Sequence, residues 1–189
     1  MMTIKAVLLT VFFVGLPVTL KTQSNPTNSE TPLSAEELTL YAVFLDSFLG
    51  MHDAADFTPR HDSSSVNLVE RTVPLILSPG DADGCLRGIG FKTPNAAEQH
   101  PRLFPAGITK GRPVYLFDPS KKKLTELQGG LLSLSEIGFG DDHHFAVFTF
   151  KLIEPAVSGG FYEKGGTIVL RKTNGKWTKT NRSCGFWIT

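Results

Sequence analysis

Residues 132–189 constrain the fold of this chain more than any other stretch. Short runs of apolar and β-branched residues alternate there with turn signals, and Asn174-Gly175 separates two of them. That dipeptide accepts the positive φ of a type I′ turn, so residues 167–172 are set against 176–180 as a hairpin. Residues 131–139 and 145–153 read as a second hairpin around Gly140-Asp141-Asp142-His143-His144. In its second strand Phe145, Val147 and Thr149 alternate with Ala146, Phe148 and Phe150. Both sets are apolar, which places that strand centrally, covered on both sides. Ser158-Gly159-Gly160 and Gly165-Gly166 bracket what reads as a mobile connection. Further strands are read over 66–77, where Pro74 implies an edge or a bend, and over 112–118.

Upstream lies one helix. Ser34 and Glu37 have the spacing of a capping box, and Leu33 and Leu38 are placed to staple the entry. Leu38, Tyr41, Ala42, Leu45, Phe48 and Leu49 then recur at intervals of three and four until Gly50 stops the helix, giving 35–49. The fold expected is α+β: an antiparallel sheet of about five or six strands with one long N-terminal helix packed on it. Residues 81–111 are irregular, with a short helix near 96–100. They read as a binding loop or as a segment whose structure periodicity does not reveal.

Lys5 precedes an uncharged stretch over 6–20, and polar Lys21-Thr22-Gln23-Ser24 follows. This is the pattern of an export signal and is short for a membrane span. The division expected is a signal peptide over 1–24, a flexible tether over 25–32 and a single domain over 33–189. An uncleaved N-terminal anchor is the alternative. The location implied is secreted or periplasmic, with membrane contact only through the N-terminal segment. Cys85 and Cys184 both fall in the exported part. Two thiols in an oxidising compartment favour one bond, and two independent small core residues are the alternative. Such a bond would close 99 residues and stabilise by up to about 4–5 kcal/mol through loop entropy.

A formal net charge of +1 over 189 residues argues against a general polyanion binder, so no nucleic-acid partner is expected. Charge is uneven along the chain, however. Residues 30–62 hold seven acidic groups against Arg60 alone, and 151–182 hold seven basic groups against Glu154 and Glu163. Either these halves face each other or water, or a basic strand face meets an acidic partner.

Candidate chemistry is sparse. Asp141, Asp142, His143 and His144 are the metal-ligand candidates, although adjacent ligands on a turn rarely converge on one ion. His52 and His61, with Asp53 and Asp62 beside them, are hydrolytic candidates that lack the spacing of His-Glu-x-x-His. Asp81-Ala82-Asp83-Gly84 starts like a calcium loop but has no closing Glu, so it reads as a turn. Trp177, Phe186 and Trp187 are either an aromatic platform or core. Asn181-Arg182-Ser183 matches a glycosylation acceptor, which matters only in a eukaryotic secretory route. No cofactor is implied.

Leu134-Ser135-Glu136-Ile137-Gly138-Phe139, Phe145-Ala146-Val147-Phe148, Gly165-Gly166-Thr167-Ile168-Val169-Leu170, Asn174-Gly175-Lys176-Trp177 and Trp187-Ile188-Thr189 form a pattern. It resembles the C-terminal "LSxxGF … NGKW … W-[IV]-[ST]" meander of exported bacterial proteins without an assigned activity. Val69-Glu70-Arg71-Thr72 is similar to one of their strands. Those proteins often carry paired cysteines before the Gly-Gly strand, where this chain has Ser158 and Gly159. The resemblance therefore leaves Cys85–Cys184 as its disulfide, and implies an α+β envelope or secreted protein. The function expected is a non-enzymatic binding or structural module, its partner an envelope protein or a small ligand. The alternatives are a hydrolase-type or metal-dependent enzyme built on the 50–65 loop and the 141–144 turn, and a secreted inhibitor presenting 81–111.

Overall fold

In the computed structural model, residues 31–50, 66–109, 113–127, 130–156 and 159–189 are described. The expected signal segment, most of the tether, and the loop carrying His52, Asp53, His61 and Asp62 lie outside them.

The capping box forms as the sequence spells it. The Ser34 amide donates to Glu37 Oε2 at 2.9 Å, and the Glu37 amide donates to Ser34 Oγ at 3.2 Å. These bonds satisfy backbone donors that the first turn leaves unpaired. Helix α1 (Ala35–Gly50) follows, with Glu36 and Glu37 at its positive end. At 16 residues it is of ordinary length rather than long. Leu40, Tyr41, Phe44 and Leu45 are buried along one stripe.

The strands are β1 (Val66–Val69), β2 (Val114–Phe117), β3 (Leu131–Leu134), β4 (Gly138–Phe139), β5 (Phe145–Pro155), β6 (Phe161–Thr173) and β7 (Lys176–Ile188). Together they make one seven-stranded sheet in the order β2-β1-β3-β5-β6-β7, with β4 also paired to β5. The α+β class holds, and two details of the expectation are corrected. The sheet has more strands than five or six, because the run over 131–139 is divided into β3 and β4. It is also mixed rather than antiparallel, since β1 pairs in parallel with both β2 and β3. Parallel neighbours need a long crossover. The irregular stretch before β2 is that crossover.

Other boundaries shift for local reasons. β1 ends at Val69, before Pro74, which has no amide to continue a ladder. The chain then makes single bridges, Arg71 to Leu103 and Val73 to Ser135. Ser135 interrupts the β3–β4 run and accepts the Thr149 amide on its hydroxyl at 2.8 Å. Gly165 and Gly166 lie inside β6 rather than beside a mobile connection, and the pairing with β7 shifts register between Gly165 and Thr167. Glycine in a strand commonly marks such an irregularity. The Asn174-Gly175 turn has both residues at positive φ, 51° and 75°, as a type I′ turn requires.

β5 is central and covered on both faces. On one side Phe148 meets Tyr41 and Phe44 edge-to-face, at centroid distances of 5.4 and 5.3 Å. Ala146, Phe150 and Leu152 join the same cluster under α1. On the other side Val147 and Val169 are covered by Cys85, Leu86 and Ile89, which follow the short helix α2 (Pro79–Asp83). Burying each large apolar side chain contributes about 1.5–3 kcal/mol. Gly138 permits a close approach on this second face: a Cβ there would come within 2.6 Å of the Phe91 ring. Phe104 packs against Tyr41 at 5.0 Å, so the 81–109 segment is anchored to α1 as well as to the second face of the sheet. Cys85 and Cys184 are joined across 99 residues, with Cα atoms 5.6 Å apart, tying this layer to β7. Among the described residues, no helix is long and apolar enough to cross a membrane.

Candidate functional site

At the β4–β5 turn the four expected ligands do not gather into one group. Asp141 lies against Gly90, whose carbonyl accepts the Asp141 amide at 3.2 Å. His143 takes φ 56° and turns its ring edge-on to Phe139, with centroids 4.8 Å apart. Asp142 instead bonds within the turn, accepting the His144 amide at 2.9 Å and facing His144 Nδ1 at 3.2 Å. The His144 amide is the main influence holding the Asp142 carboxyl below its usual range. Only Asp142 and His144 meet. The candidate partners His52 and His61 fall outside the described residues.

The acidic and basic segments do face each other at one place. Lys172 Nζ donates to Glu36 Oε1 at 2.6 Å, and Trp177 Nε1 donates to the same oxygen at 3.1 Å. Trp177 is 7% exposed and belongs to the core under α1 rather than to a platform. The side chains of Phe186 and Trp187 are not among those described.

A polar cluster lies between α1, the 98–104 segment and the β3–β4 junction. Arg102 grips Glu37 with both ends of its guanidinium, one bond at 2.9 Å to Oε2 and the other to Oε1. Burial pushes the Glu37 carboxyl up, but the Arg102 fork and Ser34 outweigh it and hold it below its ordinary range. Glu136 goes the other way. Burial is the main cause that raises its carboxyl, and the Glu37 charge adds to it against the pull of Arg102. Glu136 Oε1 is buried with no hydrogen-bond partner. Tyr41 is pushed up by burial as well, and its hydroxyl donates to the Ser135 carbonyl at 2.6 Å. A second buried pair, Lys164 with Glu154 at 2.7 Å, joins β5 and β6.

Asp81 turns out to be structural rather than part of a calcium loop. It lies in α2 and is 3% exposed. Its Oδ2 accepts the Ser78 amide at 2.7 Å and the Ser78 hydroxyl at 2.9 Å. Its Oδ1 sits 3.0 Å from Cys184 Sγ. The Ser78-x-x-Asp81 spacing is a helix-start signal that the sequence did contain.

The remaining charged feature is a ledge on the α2 side of the sheet. Arg171 stands directly beside Phe145 across the β5–β6 ladder, with its guanidinium carbon 5.8 Å from the ring centroid. Arg182, from β7, brings its own to 5.9 Å from the same ring and donates to the Arg87 carbonyl at 2.9 Å. Among the described residues neither arginine has a carboxylate partner, whereas Arg102, Lys121, Lys151, Lys164 and Lys172 each have one. Arginine over an aromatic face loses little of its capacity for carboxylate, because the outer N–H edge stays free. Sequence spacing could not have paired these two residues, since the register shifts along β6–β7 decide where Arg182 falls.

Compared with known proteins, the chain matches no family model, no curated protein and no solved structure.

Proposed function

We propose that this chain is an exported, non-enzymatic binding module that uses the Phe145–Arg171–Arg182 ledge to hold an acidic segment of a partner protein. The observation that carries this reading is the pair of guanidinium groups gathered on one exposed side of β5–β7 without a carboxylate partner among the described residues. Export rests on the 1–24 pattern and agrees with a Cys85–Cys184 bond, which persists in oxidising compartments. The resemblance to exported bacterial meander proteins belongs to the same reading. The hydrolase-type alternative would draw on the histidines and aspartates of the 50–65 loop, which lie outside the described residues, and on the 141–144 turn, where Asp142 and His144 alone of the four candidates meet.

The test is fluorescence anisotropy of a labelled glutamate oligomer titrated with the exported chain. Binding should weaken as salt rises, because exposed charge pairs are screened. The double substitution Arg171→Ala/Arg182→Ala should weaken it about tenfold at low salt, two exposed pairs together being worth roughly 1.4 kcal/mol. Affinity equal to wild type in that variant would exclude the ledge.

A further inference from the structure

The Cys85–Cys184 bond has a carboxylate placed against it that the disulfide cannot satisfy. Asp81 Oδ2 already accepts both donors of Ser78. Oδ1 faces Cys184 Sγ at 3.0 Å, and a disulfide sulfur has no proton to donate. The approach is built in. Gly185 sits at φ 64°, and a Cβ there would come within 2.7 Å of Asp81 Oδ1, so any other residue would force the carboxylate off the sulfur. Cys85 is buried, while Cys184 is half-buried on β7, an edge strand of the sheet. A reductant would therefore reach Cys184 first.

We propose that Cys85–Cys184 is an exchangeable thiol–disulfide couple, turned over by a dithiol partner, in which Asp81 accepts the hydrogen bond of the Cys184 thiol. A thiolate of the dithiol attacks Cys184 Sγ, the S–S bond breaks, and its electron pair leaves on Cys85 Sγ. The partner's second thiol then displaces Cys184 from the mixed disulfide. The partner departs as a disulfide, two electrons poorer, and its two protons end on Cys85 and Cys184. In the reduced chain the Cys184 S–H points at Asp81 Oδ1, so this carboxylate favours the dithiol state. The site is separate from the arginine ledge.

The exported chain, purified oxidised, is equilibrated without denaturant against mixtures of reduced and oxidised dithiothreitol, and its free thiols are counted by alkylation and mass spectrometry. Folding is monitored throughout by circular dichroism. The wild-type pair should reduce while the chain stays folded. In Asp81→Asn the single amide oxygen stays with the Ser78 donors and the NH2 group faces the sulfur. That variant should shift the equilibrium about tenfold toward the disulfide, the weight of one charge-assisted hydrogen bond. Ser78→Ala disturbs the same helix start but leaves Oδ1 facing the sulfur, and should shift the equilibrium by less than about twofold. Reduction only under unfolding conditions would overturn the proposal. So would equal shifts in the two variants, because Asp81 would then act through the helix start alone.

Discussion

At the scale of single residues, the Glu37–Arg102 pair is the contact with most at stake. Both side chains are largely buried, and removing one leaves the other as an uncompensated charge. Arg102→Ala is expected to cost about 3 kcal/mol in urea unfolding at pH 7. The Glu37 carboxyl lies below its ordinary range in the fold. Its stabilising contribution is therefore complete above the ordinary carboxylate value and is lost as pH falls through the lower folded value. Glu136 has the opposite sign, because burial raises it. It favours the fold when protonated, and that advantage is lost as pH rises through its folded value. Glu136→Gln should therefore stabilise by about 1 kcal/mol at pH 7, since it removes a buried, partly unsatisfied charge. The gain should fade near pH 4, and melting curves at the two values check both statements. Half of this cluster was legible in advance. Ser34 and Glu37 announce each other at a spacing of three, whereas Arg102 lies 65 residues from Glu37 and nothing local pairs them.

Among the elements, local chemistry decided what could be read. The Asn174-Gly175 turn stood out because only a few residues accept two successive positive φ values. Gly175→Val should cost about 1–2 kcal/mol in thermal unfolding, from the φ of 75° alone, since open space surrounds the missing Cβ. The alternation of β5 also revealed a strand covered twice. Parallel pairing of β1 was not legible, because its partners lie far away in sequence and a crossover carries no turn signature. Nor was the division between β3 and β4, where the Thr149 amide bonds to the Ser135 hydroxyl while the Ser135 amide bonds back to the Thr149 carbonyl.

For the whole molecule, the sheet is a partition between two unlike layers. α1 seals one face with aromatic packing, and the segment after α2 seals the other and is bonded to β7 through Cys184. The disulfide was legible because the chain has only two cysteines. The ledge was not, because Arg171 and Arg182 come together only through the pairing of three strands. On the α2 side half-buried Phe145 is flanked by the exposed Arg171 and Arg182, the ledge proposed to bind an acidic partner. The most direct measurement is a 15N-resolved NMR titration of residues 25–189 with a glutamate oligomer, read residue by residue. The expected result is saturable shifts confined to Phe145, Arg171, Arg182 and their strand neighbours, abolished in Arg171→Ala/Arg182→Ala. Shifts centred on the Asp141–His144 turn or on the α1 face, or none at all, would contradict it.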